Sequence, residues 1–296
     1  IEREINTCIS RAIDPHREWR DFLATAGVAT IAVVVSNTTE AGIVSPPEPS
    51  PDEAHPAQSF PAKLTAWLLE RQRRLPDEPA GMTILPCELI EENGAALRRC
   101  VETYARSWRA SPAFFDWLRA KCRFRNTLVD RIVTGFDDDE AEVCRREQGY
   151  DDRQVVVGEL FHEWLIEDFD QERDGLPVSG SGLNIRVVKD LAPWRLRKVR
   201  LLNGAHTMLA TAAHLAGIAT IADAAHDPDF RRLLHEGMAR ELLPARASRV
   251  ESHPDRPLCG AEVRRLQSPE VGQDQDVVRG QERTLPSGLA LHHDRD

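Results

Sequence analysis

The chain has 296 residues, a formal net charge of −10, 41% hydrophobic and 29% charged residues. That length supports a sizeable core without disulfides or metals, as one large domain or two ordinary ones. No apolar run approaches the roughly 18 residues of a membrane span, and the acidic balance argues against a nucleic-acid-binding face, which needs clustered Lys and Arg.

Ile1-Glu2-Arg3-Glu4 carries no leader-type apolar stretch, and six cysteines at 8, 87, 100, 122, 144 and 259 have neither CxxC nor zinc-finger spacing. The expectation is free thiols in a reducing cytoplasm. Ile1–Arg11 alternates and predicts a strand. Asp14-Pro15 is a helix-start pair, followed by apolar Trp19, Phe22 and Leu23 and a stop at Gly27. Ala29–Val35 is a continuous apolar run, the pattern of a strand buried on both faces. Strand, helix, strand is part of a βαβ layout and argues for a parallel sheet.

Ser45–Pro61 is rich in Pro, Glu, Ser and Asp and predicts a surface loop. Phe60 opens a helix to about Arg74, Gly81–Pro86 is a short strand, and Gly94–Trp108 and Ser111–Cys122 are amphipathic helices. Phe124–Val133 alternates and predicts one extended segment, and Asp137–Glu142 the start of a surface helix. Gln154–Asp168 reads as strand. From about Leu191 the periods become helical: Lys198–Ile218 predicts a buried helix and Ile221–Leu243 one or two more. Residues 245–296 contain no Phe, Trp or Tyr and no sustained periodicity. Such a segment predicts disorder, or translation in a shifted reading frame.

Four segments carry candidate chemistry. In the first, the apolar strand ends in Ser36-Asn37-Thr38-Thr39-Glu40-Ala41-Gly42, and open α/β sheets bind ligands at strand carboxyl ends; an ordinary polar turn fits equally. In the second, Pro86–Gly94, Asn93 before Gly94 suits a helix cap, while Cys87 and Glu88 offer a nucleophile and a base, although no His lies near them in sequence. In the third, Asp130 and Arg131 adjoin within an apolar stretch and point to opposite faces of a strand, so one of them faces a cavity or both form rim ion pairs. In the fourth, an α-helix places Asn203 and His206 roughly 140° and 80° around the axis from Lys198, within one broad face. Burial favours a neutral lysine, a neutral lysine takes a proton from a hydroxyl, and an amide donates to a developing alkoxide. The competing reading is a basic helix end with a surface Lys and a core His. No GxGxxG, GxxxxGK[ST] or GxSxG is present.

Taken in order, SNTTEAG (Ser36–Gly42), FPAKL (Phe60–Leu64), PCELIEENG (Pro86–Gly94), NTLVDRIVTG (Asn126–Gly135) and RKVRLLNGAHT (Arg197–Thr207) resemble the polyol-specific long-chain dehydrogenases, the mannitol dehydrogenase family. Within it they are most similar to the tagaturonate reductases, also called altronate oxidoreductases, with fructuronate reductases and mannitol dehydrogenases as alternatives. The resemblance runs from about Arg3 to Pro244. It implies NAD(H)-dependent interconversion of D-tagaturonate and D-altronate without a metal. It assigns Lys198 as general acid/base, Asn203 and Asn93 as holders of the substrate oxygen, and His206 as the residue that orients substrate hydroxyls. Asp130 becomes a further pocket residue, and Asn37, Thr38 and Thr39 lie near the cofactor.

The implied architecture is α/β. Residues 1–150 are the remnant of a Rossmann-like parallel-sheet domain, 151–244 a truncated, mostly helical substrate domain, and 245–296 a disordered tail. The family begins with a strand, a Gly-rich turn and a helix, and the turn supplies most phosphate contacts; the expectation is that this unit is missing ahead of Ile1. The expectations are therefore a cytoplasmic enzyme of a small sugar acid, with no nucleic-acid, membrane or protein partner, or a non-catalytic remnant of such an enzyme.

Overall fold

The computed structural model describes residues 8–39, 41–77, 81–134, 142–143, 145–147, 149–150, 156–238 and 240. The chain divides into two compact units, Ile1–Val129 with Glu163–Leu191, and Asp130–His162 with Ala192–Asp296.

The first unit is built on three parallel strands in sequential order: β1 (Val33–Ser36), β2 (Met82–Pro86) and β3 (Cys122–Phe124). Helices connect them, as parallel pairing requires. Ahead of β1 lies α1 (Trp19–Ala24), followed by a single 3-10 turn, Thr25–Gly27. Between β1 and β2 runs α2 (Phe60–Arg74), capped by Ser59 and carrying Pro61 in its first turn. Between β2 and β3 run α3 (Asn93–Ser107) and α4 (Pro112–Lys121). The core joins Leu64, Trp67 and Leu68 of α2 to Met82 and Ile84 of β2, Leu97 and Val101 of α3, and Phe114 and Leu118 of α4. Buried Arg71 of α2 donates to the carbonyls of Ala26, Val28 and Ile31 at 3.2, 3.0 and 2.8 Å. It thereby fixes the chain that leads into β1.

Several expectations are corrected. The strand predicted for Ala29–Val35 contracts to Val33–Ser36 and is only half-buried, with Val35 54% exposed. β1 stands at one end of the three-strand order, so only central β2 is buried along its whole length. Residues 8–11 form no strand, and the rest of the predicted first strand lies outside the described residues. Asp14-Pro15 starts a turn: the Asp14 carbonyl takes the amides of Arg17 and Glu18, and the helix begins at Trp19.

Phe124–Val133 is not one extended segment. Its strands join three different sheets: β3 pairs with β2, β4 (Thr127–Asp130) with β7 (Glu163–Glu167), and β5 (Val133–Thr134) with β6 (Val157–Gly158). After β7 come a one-turn helix, α5 (Gln171–Asp174), and β8 (Ile185–Val188), which pairs parallel with β7. Asp174 is wholly buried and accepts from Arg123 Nε at 2.6 Å, Arg125 Nη2 at 2.9 Å and Thr83 Oγ1 at 3.1 Å. These bonds fasten Glu163–Leu191 to the first sheet.

In the second unit β5 and β6 pair antiparallel. Helix α6 (Ala192–Arg197) runs without a break into a π-helical turn, Lys198–Asn203, and then α7 (Gly204–Leu215). Helices α8 (Ile221–His226) and α9 (Pro228–Gly237) follow, capped by Thr220 and Asp227. Leu201, Leu202, Ala205 and Leu209 pack against Leu234 and Met238. The helix expected to be apolar on most sides therefore buries one face only, and Leu215 is 83% exposed. The predicted helix start at Asp137–Glu142 and the predicted tail, 245–296, lie almost wholly outside the described residues. Among those residues no helix is long and apolar enough to cross a membrane.

Candidate active site

Each unit gathers its own set of candidate groups. In the first, β1 and β2 end side by side, with Ser36 in register with Pro86 and the Cys87 amide donating to the Ser36 carbonyl at 2.7 Å. Beyond that point β1 opens into Asn37, Thr38 and Thr39, all exposed. The loop folds back at Gly42, whose amide donates to the Thr39 carbonyl at 2.9 Å. A Cβ on Gly42 would fall 1.8 Å from Thr38 Oγ1, so only glycine permits this turn.

Glu88 anchors the loop from behind. It is 2% exposed. Its Oε2 accepts from Ser36 Oγ at 3.0 Å, and its Oε1 from the Thr38 amide at 3.0 Å and Thr38 Oγ1 at 2.9 Å. Cys87 does not use Glu88 as a base. Burial pushes its thiol up to about 11, and a thiol held protonated is no nucleophile. Glu88 is the residue whose role sequence reasoning missed. Its trace was a carboxylate at the end of one apolar strand and a serine at the end of another, which pair only once the strands are known to be neighbours.

Asn93 is fully buried. Its Nδ2 donates to the carbonyls of Pro86 at 2.9 Å, Glu88 at 3.0 Å and Thr127 at 3.0 Å. Its Oδ1 accepts from the amides of Gly94 and Thr127, both at 2.9 Å. Five main-chain partners fill the amide's capacity of two donors and two lone pairs. In this arrangement Asn93 has no donor left for a substrate oxygen. It ties the β2 loop to the start of β4, and Glu92 just before it takes a left-handed conformation, φ 49°. Asn126, its neighbour in that tie, donates to Glu167 at 2.7 Å.

In the second unit Lys198 Nζ lies 3.2 Å from Asp130 Oδ1, and the two side chains are 15% and 14% exposed. Asp130 thus faces a cation, one of the two outcomes its position in the sequence allowed, and Lys198 is no isolated amine. Lys198 opens the π-helical turn and Asn203 closes it. An i→i+5 ladder brings the fifth residue about one turn onward, so Asn203 sits nearer to Lys198's face than the α-helical spacing predicts. Asn203 is exposed and His206 half-buried, while Leu201, Leu202 and Ala205 take the core face. One turn back, the Arg197 guanidinium stacks on Trp194 at 4.7 Å from the ring centroid. Among the described residues no three His, Cys, Asp or Glu side chains are grouped to hold a metal ion.

The family model for the mannitol dehydrogenase Rossmann domain matches residues 5–179, and that for the mannitol dehydrogenase C-terminal domain matches residues 190–255. The chain belongs to the mannitol dehydrogenase family. The altronate oxidoreductase of Bacillus subtilis (strain 168) is 40% identical over 244 residues, 82% of this chain and 51% of that protein. The altronate oxidoreductase of Phocaeicola vulgatus is 38% identical over 236 residues, 79% of this chain and 49% of that one. The chain spans about half the length of the curated relatives it matches.

Among solved structures, the Pseudomonas fluorescens mannitol 2-dehydrogenase ternary complex with NAD and D-mannitol is similar with a TM-score of 0.65 at 22% identity, over 89% of this chain and 54% of that one. Substrate-free D-sorbitol dehydrogenase gives the same TM-score and identity over 87% and 54%. The expected fold, a Rossmann-like parallel sheet followed by helices, is the one observed.

Proposed function

We propose that this chain carries the acid/base chemistry of an NAD(H)-dependent reductase of sugar acids, interconverting D-tagaturonate and D-altronate. The observation that carries the proposal is the ion pair between Lys198, on a π-helical turn, and Asp130, at the end of β4, in a chain about 40% identical to altronate oxidoreductases. Asn37, Thr38 and Thr39 suit a dinucleotide: they are exposed hydroxyl and amide groups at the carboxyl end of a parallel strand. A dinucleotide held by these residues would supply or accept the hydride.

The chain's own residues handle the proton. Lys198 Nζ gives a proton to the carbonyl oxygen during reduction and takes it back from the hydroxyl during oxidation. Asp130 holds that amine in place through the 3.2 Å contact. Asn203 donates to the oxygen as negative charge develops on it, and His206 orients neighbouring hydroxyls. Asn93, whose amide is taken up by main-chain partners of the first unit, serves in this reading as a structural tie.

The test follows NADH absorbance with D-tagaturonate, D-fructuronate and D-fructose. D-tagaturonate should be the preferred substrate. Lys198→Ala should lower kcat by about 10²–10⁴ with the fold retained. A Lys198→Ala protein of undiminished kcat, or no turnover of any of the three ketones by the parent chain, would overturn the proposal.

A further inference from the structure

We propose that Glu88 is a positioning residue for the cofactor, setting the loop Ser36–Thr39 in the conformation that offers it to a dinucleotide. This rests on the dinucleotide reading above. A carboxylate that is 2% exposed is costly to bury. Among the described residues Glu88 makes no ion pair; three neutral donors satisfy it instead, Ser36 Oγ, Thr38 N and Thr38 Oγ1. All three belong to the last residue of β1 and the loop that follows it.

In all three contacts the Glu88 carboxyl oxygens are the acceptors. Every group facing them must therefore donate. The Ser36 and Thr38 hydroxyls have their hydrogens fixed inward. Thr38 is exposed, and because its hydroxyl hydrogen is given to Glu88, a ribose hydroxyl that met this oxygen would have to donate to it. The amide bond at Thr38 fixes the backbone on which Asn37 and Thr39 stand. Glu88 is held in turn, because its carbonyl accepts from Asn93 Nδ2 at 3.0 Å. The carboxylate thus sets both the shape of the loop and its hydrogen-bond polarity.

Two measurements on the full chain test this. The first is amide hydrogen exchange at Thr38, read without cofactor, with Ile84 of β2 as the folding control. The second is NADH affinity by fluorescence titration. Glu88→Ala should raise Thr38 exchange about 10- to 100-fold, as expected for a lost bond to a charged acceptor, and weaken NADH binding tenfold or more. Glu88→Gln can keep Oε1 on Thr38 and turn Nε2 to Ser36 Oγ, which accepts as well as donates, so it should recover most of both. Thr38→Val keeps the amide bond, so exchange should stay within about threefold while affinity falls. If Glu88→Ala proves unfolded at Ile84, Glu88→Asp replaces it and should show the same pattern.

Unchanged Thr38 exchange in Glu88→Ala overturns the loop-setting role. Raised exchange with unchanged NADH affinity overturns the cofactor role. A parent chain that does not bind NADH overturns the dinucleotide reading and the cofactor role together, and the exchange ratio still decides whether Glu88 sets the loop.

Discussion

Asn93 offers the sharpest test of how the first unit is held together. Asn93→Ala removes an amide with five main-chain partners inside a fully buried site. Pro86's carbonyl keeps a partner, since Thr127 Oγ1 donates to it at 2.5 Å. The Gly94 and Thr127 amides lose the acceptor they share, and the Glu88 and Thr127 carbonyls lose a donor. Two buried N–H groups left without acceptors cost about 1–3 kcal/mol each, so the expected loss is about 3–4 kcal/mol, a large part of an ordinary domain's stability of about 5–15 kcal/mol. In urea, with m of about 3 kcal/mol/M, the midpoint should fall by about 1 M with m unchanged. Asn93→Asp should do no better, because it sets an oxygen against the three carbonyls. A midpoint within about 0.2 M of the parent, together with a collapse of turnover, would refute this reasoning and return Asn93 to the substrate oxygen.

Two further outcomes follow from the electrostatics. The Arg73 guanidinium, with Arg74 beside it, lowers the Glu70 carboxyl from 4.5 to about 2. A folded-state value below the unfolded one stabilises the fold above the unfolded value, and this stabilisation is lost as pH falls from about 4.5 towards 2. Glu70→Gln should flatten the stability–pH curve in that window and leave its slope near neutrality unchanged, as read by thermal unfolding; an unaltered acid limb would contradict the assignment. Burial pushes the thiols of Cys87 and Cys122 up to about 11 and about 12, whereas Cys8 is exposed. Alkylation of the native protein near pH 8, mapped by peptide mass, should therefore mark Cys8 before Cys87 and Cys122, which should be reached only in denaturant; early labelling of Cys122 would contradict the burial.

The helices α2, α3 and α4 and the strand β2 were legible in the sequence because their signals are local. Ser59 and Pro61 mark the start of α2, apolar residues recur with the helical period, and Gly81 opens β2. The five ordered motifs likewise pointed to the family, and the fold agrees with it. The sequence was a poorer guide wherever burial or pairing depends on a distant partner. Ala29–Val35 has the composition of a central strand, yet its first residues feed carbonyls to Arg71 and its last three lie at the end of the sheet order. Phe124–Val133 alternates without interruption, yet its pieces enter three sheets, because the partners β2, β6 and β7 are supplied from elsewhere in the chain.

The site divides in the same way. Lys198, Asn203 and His206 could be placed on one broad helical face by spacing alone, since side-chain direction on a helix is a local property. The π-turn that carries Asn203 closer to Lys198, and the carboxylate of Asp130 opposite the amine, arise only in the folded chain. Asn93 and Glu88 show the difference most plainly. As letters they were a capping amide and a candidate base; Thr127 lies 34 residues beyond the first, and Ser36 52 residues before the second. A hydrogen bond is decided by which donors and acceptors come within about 3 Å, and only tertiary structure brings groups so far apart in sequence to that distance.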